Sequence, residues 1–244
     1  MRKALELLAS FTPRTTSWAL SDLARSVGIP KSTAHNLLRT LQSFDLVCQD
    51  ADTHTYSLGP RALELGLIFT RCTDLLSHAR AVVSRLAEVS GETVKVGIFS
   101  RDQVSIINAV ESTHQLHTRG DVGTRWPLHS SSLGKAILSA LPTEEAAEIL
   151  ARQGMPRLTA NTLTTWPEVE REMKRIRSRG YACDMEESEP GVRCIAAPVT
   201  DALHRRVVAI GISGPVARIK NSMMDELAQH VMDAARALAR QFNR

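Results

Sequence analysis

Leu20-Ser21-Asp22-Leu23-Ala24-Arg25-Ser26-Val27-Gly28-Ile29-Pro30-Lys31-Ser32-Thr33-Ala34-His35-Asn36-Leu37-Leu38-Arg39-Thr40-Leu41 is the stretch on which the fold of this chain turns. It carries two apolar stripes at helical spacing, Leu20, Leu23, Ala24 and Val27, then Ala34, Leu37, Leu38 and Leu41, parted by Gly28-Ile29-Pro30. Ser21 is the expected N-cap of the first helix, Asp22 suits its positive end, and Gly28 ends it. The second is expected over Lys31 to Phe44, with Phe44 closing its buried stripe. Ala24 is small where two helices cross, and Ile29 and Leu37 fill the angle between them.

Outward from that pair, Ala4, Leu7, Leu8 and Phe11 mark an earlier amphipathic helix, stopped by Pro13. Downstream, Leu46 to Gln49, the acidic turn Asp50-Ala51-Asp52, and His54 to Leu58 have the length and turn chemistry of a β-hairpin, closed by Gly59-Pro60. Three helices and a hairpin within residues 1–60 spell a winged helix-turn-helix. Its third helix would present Lys31, Ser32, Thr33, His35, Asn36, Arg39 and Thr40 to the major groove of double-stranded DNA, with His54 near the wing tip. No acidic residue stands between Lys31 and Gln42, which favours nucleic acid over a module for protein contacts or dimerisation alone. Asp50 and Asp52 run against that, since they repel phosphate unless the tip points away.

Bulk charge does not make the case. The 244 residues hold 30 Lys and Arg against 26 Asp and Glu, a net +4. Within residues 1–70 the balance is nearly even, so the placement of charge has to carry the argument. A hydrophobic share of 43% and a charged share of 23% are globular values, and the length suggests two domains. No apolar run nears a bilayer span, and Glu6 interrupts any signal-peptide pattern, so a cytoplasmic protein with no membrane partner is expected. Cys48, Cys72, Cys183 and Cys194 form no CxxC pair, which argues for reduced thiols.

The helical pattern from Arg61 to Val89 is interrupted near Thr70 to Thr73, and reads as a linker helix over 61–77 leading into a second domain over 78–244. There Thr93 to Phe99 and Val104 to Val110 form a hairpin across Ser100 to Gln103, and Glu111 to Arg125 is loop or edge strand. Helices are signed by Ser130-Ser131-Ser132 before Leu133 to Leu141, by Pro142-Thr143, and by the capping-box spacing Thr165 to Glu168 ahead of Val169, Met173 and Ile176. Strands return at Tyr181 to Met185, Arg193 to Val199 and Arg206 to Ser213, before a last helix from Ser222. The whole is α+β in two domains. His114-x-x-His117 lacks a partner pair for zinc. Cys194 or Ser213 with His129 and Asp184 lacks a nucleophile elbow or cofactor loop, so neither metal, cofactor nor catalysis is expected.

Leu20 to Ala24, Gly28 to Thr33, Leu37 to Leu41 and Tyr56 to Gly59 resemble the IclR family of bacterial transcriptional regulators. So do Pro127-Leu128-His129, Gly134-Lys135-Ala136, Gly180-Tyr181-Ala182, Glu186-Glu187, Gly191 to Val199 and Ile212 to Pro215. The resemblance implies a DNA-binding domain, a linker helix and a GAF/PAS-like effector-binding domain, assembled as a homodimer or homotetramer. It further implies a ligand-responsive regulator, more often a repressor, switched by a small organic acid or an aromatic metabolite.

By the same resemblance the effector lies in a cleft of the second domain. Ser132-Leu133-Gly134 would offer it helix N-terminal N–H groups, Asp184, Cys194 and Ser213 would face it, and Trp126 and His129 would stand at the rim. Cys194 also reads as a small core side chain, and His129 as a structural histidine bonded to backbone. Three positions depart from the family pattern: Asn36 where arginine is common, Gly211 where serine is, and Ser132 where alanine or glycine is.

Overall fold

The computed structural model describes every residue except Arg14, Asp74, 202–205, 243 and 244; side chains of 69–79 and 200–206 also lie outside the description. The chain divides into two units, Met1–Thr73 and Asp74–Arg244. Among the described residues no helix is long and apolar enough to cross a membrane.

The first unit runs α1 (Arg2–Ala9), β1 (Ser17–Trp18), α2 (Leu20–Val27), α3 (Lys31–Ser43), β2 (Val47–Gln49), β3 (Tyr56–Leu58) and α4 (Pro60–Thr73). Gly28 sits at φ +66°, and the N–H groups of Gly28 and Ile29 donate to the carbonyls of Arg25 and Ala24. That is a Schellman closure, and it hands the chain straight into α3. Leu7, Leu23, Leu38, Leu41, Val47 and Tyr56 form the core.

Three expectations change here. Ser21 is not the N-cap, because α2 begins at Leu20 after an extended Ala19. Phe44 is 66% exposed, because α3 stops at Ser43 and Phe44 leaves helical geometry. The sheet has three strands, since Trp18 of β1 pairs with Tyr56 of β3. A two-residue strand has too little alternation to be read from sequence.

The second unit runs α5 (Leu75–Ser90), β4 (Thr93–Ser100), β5 (Gln103–Val110), β6 (Arg125–Trp126), α6 (Ser132–Ala140), α7 (Thr143–Gln153), α8 (Trp166–Arg179), β7 (Ala182–Met185), β8 (Val192–Asp201), β9 (Arg206–Pro215) and α9 (Met224–Phe242). Its six strands are antiparallel in the order β6-β5-β4-β9-β8-β7. Val94, Val96, Ile195, Ile210 and Ile212 pack on one face with α5 and α9. Ala182, Ala196 and Ala209 face the other way, toward α6. The capping box at Thr165 and Glu168 is present, and Gly180 ends α8 at φ +90°. The helical pattern expected to be broken or bent near Thr70 to Thr73 runs as α4 through Thr73, and α5 begins at Leu75; Asp74 lies outside the described residues.

Leu38 is fully buried where the helices of the first unit meet. Leu38→Ala should cost about 2–5 kcal/mol, read as a lower denaturation midpoint of the first unit.

Candidate functional site

In the first unit, Lys31, Ser32, Thr33, His35, Asn36, Arg39 and Thr40 are all exposed on α3, on the side away from Ala34, Leu38 and Leu41. Among the described residues no carboxylate pairs with Lys31, His35 or Arg39. The Thr40 hydroxyl donates to the Asn36 carbonyl at 3.2 Å. At the hairpin tip His54 is exposed at φ +54°. The Asp50 carboxylate accepts from the Thr53 N–H at 2.7 Å, the Thr53 hydroxyl at 2.8 Å and the Asp52 N–H at 3.1 Å. These bonds hold its carboxyl below the usual range. The acidic residue that jarred with a DNA-facing wing thus ties the turn.

In the second unit, antiparallel register sets Asp184 opposite Cys194, Cys194 opposite Ser213, and Ser213 opposite Thr93, a single row across four strands. The start of α6 lies over this face. Together they border a partly open cavity of about 40 Å³, lined by Asp184, Cys194, Ser213, Ser132, Leu133 and Trp126 of the expected residues. Lys95, Ser131, Gly211 and Ile212 complete its wall. Lys95 was invisible to sequence reading because it alternates with Val94 and Val96, and a lysine so placed on a one-sided sheet faces water. Here α6 covers its face.

Two expected residues do not line the cavity. His129 is buried rather than at the rim, with Nε2 3.1 Å from the Pro156 carbonyl, and burial pushes its pKa down. The N–H of Gly134 is not free, because the Ser131 hydroxyl caps it at 3.0 Å. A Cβ at Gly134 would run into the backbone of Pro127 and Leu128, so this glycine allows α6 to seat closely. The N–H groups of Ser132 and Leu133 remain without an acceptor among the described residues.

The polar row is held firmly. The Ser213 and Thr118 hydroxyls lie 2.5 Å apart, and the Thr93 hydroxyl donates to the Thr118 carbonyl at 2.7 Å. Asp184 accepts the Glu187 N–H at 2.7 Å, but burial still pushes its pKa up. Burial and then Asp184 push the Cys194 thiol up, so it stays protonated. Behind the cavity the Lys135 ammonium bonds the Glu187 carboxylate, both buried. Glu187 is pushed up to about 7, by burial first, with Lys135 opposing. His117, considered for zinc, has Nδ1 2.7 Å from the His114 carbonyl and Nε2 3.5 Å from Glu111.

Comparison with known proteins decides the family. The bacterial transcriptional regulator IclR C-terminal family matches residues 69–240, and the IclR helix-turn-helix domain matches residues 1–51. The chain belongs to the IclR family. The transcriptional repressor IclR of Escherichia coli (strain K12) is 33% identical over 238 residues, 97% of this chain and 87% of that one. The IclR structure of Thermotoga maritima superposes with a TM-score of 0.75 at 26% identity, covering 100% of this chain and 98% of that one. An IclR homologue of Microbacterium hydrocarbonoxydans, complexed with 4-hydroxybenzoate, reaches a TM-score of 0.85 at 21% identity over 99% of this chain and 98% of that one, a likeness of fold. As an IclR-family member the chain is a DNA-binding transcriptional regulator with an effector-binding C-terminal domain, not an enzyme.

The Lys135–Glu187 pair gives a test of the site's support. A carboxylate raised in the folded state binds its proton more tightly there than in the unfolded chain, so stability from this group falls as pH rises from about 4.5 to about 7. Lys135→Met removes the opposing cation. It should cost roughly 3–5 kcal/mol at pH 8, where Glu187 must either stay charged without its partner or take up a proton against the solution pH, and clearly less at pH 5, where Glu187 is already protonated; denaturant melts at both pH values measure the difference.

Proposed function

We propose that this regulator is a cytoplasmic homodimer or homotetramer that represses a catabolic operon, and that a small organic acid or aromatic metabolite bound in the second unit switches it. The observation that carries the effector reading is the pair of unengaged N–H groups at Ser132 and Leu133, opening on a cavity whose far wall is Asp184, Cys194 and Ser213. A carboxylate suits such a helix start. The 4-hydroxybenzoate in the Microbacterium hydrocarbonoxydans homologue, itself a carboxylate, supports that class.

For DNA, Lys31, Ser32, Thr33, His35, Asn36, Arg39 and Thr40 would meet the major groove, with His54 of the wing at the backbone. The amide of Asn36 suits adenine. Assembly into an oligomer is supported by Leu63, Leu65 and Ile68, exposed apolar side chains on α4, and by Phe44. A two-fold assembly would read a palindromic operator. Residues 61–77 would act as the linker that converts effector binding into a new spacing of the winged modules, an effect limited by the effector's differential affinity for the two arrangements.

Selection from a randomised DNA library by the purified chain should enrich a two-half-site motif. Arg39→Ala should weaken binding to it and reduce the slope of log K against log salt by about one; an unchanged slope would remove Arg39 from the phosphate contacts. On the same motif, Asp184→Ala and Ser213→Ala should still bind DNA but lose effector-triggered release. If folded variants fail to bind DNA at all, the cavity is not a separate sensing site.

A further inference from the structure

The cavity wall holds one group that the row of Asp184, Cys194 and Ser213 does not account for. Lys95 stands on β4, is only 8% exposed, and points its Nζ at the Trp126 ring, 5.4 Å from the centroid. Among the described residues no carboxylate pairs with its ammonium and no hydrogen bond holds it. Lysines this buried are normally paired, as Lys135 is with Glu187. Burial pushes the Lys95 pKa down, and the carboxylates of Asp121, Glu189 and Glu111 oppose that only through longer-range attraction. Directly across the register lies Gly211, which puts no side chain beside it.

Of the other groups in the cavity wall, the α6 donors add to the positive field of Lys95, while Asp184 is the one carboxyl set against it, and burial pushes that carboxyl toward its neutral form. The Ser132 and Leu133 N–H groups are positive ends of α6, and the face of Trp126 shields one side of the ammonium without neutralising it. A largely buried lysine that reaches an open cavity, with no ion pair among the described residues and helix N-terminal donors in the same wall, suits an incoming anion. The cavity's size limits what can bring that charge. By the measure that gives this cavity about 40 Å³, a single water needs roughly 10–15 Å³, so a ligand of a few heavy atoms fits as the walls stand.

We propose that Lys95 selects the effector by charge, as the cation against which the carboxylate of a short organic acid seats between β4 and the start of α6. This rests on the cavity being the effector site, and it narrows the ligand from organic acids at large to short anionic ones. A neutral analogue of equal shape leaves Lys95 unpaired and is rejected, since a buried charge-assisted contact discriminates far better than shape does.

The test uses the full chain with acetate and its neutral isostere acetamide as probes, at constant ionic strength, in wild type, Lys95→Met and Lys95→Arg, with binding read by ligand-observed NMR. Wild type and Lys95→Arg should prefer acetate by at least about tenfold, and Lys95→Met should lose most of that preference, keeping only what the α6 donors supply. Because Lys95→Met removes a buried unpaired charge at similar volume, its thermal midpoint without acetate should rise. An acetate preference undiminished in Lys95→Met would overturn the role of Lys95 and leave the effector cavity standing on the α6 donors. Failure of wild type to bind either acetate or 4-hydroxybenzoate would overturn the cavity reading as well. A lower midpoint for Lys95→Met would show a lysine kept for folding and would equally count against the proposal.

Discussion

The register of β8 between β7 and β9 is the constraint on which the sensory unit depends. Side chains alternate strictly along a strand, so a slip of one residue would turn Cys194 away from Asp184 and Ser213 and bring Ile195 into the polar row. Both faces of this sheet are covered, one by α5 and α9 and the other by α6, which makes such a slip costly at every position at once. Ile195, Ile210 and Ile212 on the first face thereby fix where Asp184, Cys194 and Ser213 stand on the second. The apolar packing positions the polar site.

A polar row inside a protein has to be satisfied, and here the chain does it with loops. The segment after β5 returns to place Thr118 between Thr93 and Ser213, and Arg218 holds the buried Glu92 carboxylate with Nη2 at 2.8 Å while also donating to the Leu116 carbonyl. On the other side Lys135 from α6 reaches Glu187, whose N–H is taken by Asp184. Ser213 and Asp184 are thus each tied to a residue, Thr118 and Glu187, that does not itself line the cavity. That arrangement holds the cavity walls in place without a ligand.

The first unit solves a different problem with less material. Among the described residues its core is six buried side chains, and the angle between α2 and α3 rests on one left-handed glycine and two backbone hydrogen bonds. The result keeps one face of α3 free of acidic residues and, among the described residues, of ion pairs, which is what contact with a polyanion demands. Asp50 shows the same economy, spending its charge on the N–H groups of the turn it opens.

Much of this was legible in the sequence because it is local. Helical spacing, Gly28 as a stop, the capping box at Thr165 and Glu168 and the hairpin turn at Arg101 and Asp102 are properties of short windows, where backbone sterics and periodicity act directly. The misreadings at Ser21 and Phe44 came at helix ends, where a shift of one residue changes the cap. What the sequence by itself determined is therefore the two-unit α+β order, the exposed face of α3 and the strand positions of Asp184, Cys194 and Ser213. Only the tertiary structure decided that Lys95 and Ser131 join the cavity, that His129 is turned to the Pro156 carbonyl, and that Gly134 is spent on close packing. Those outcomes depend on α6 lying over a sheet whose strands come from distant parts of the chain, and burial on a second face leaves no periodic mark in any one strand.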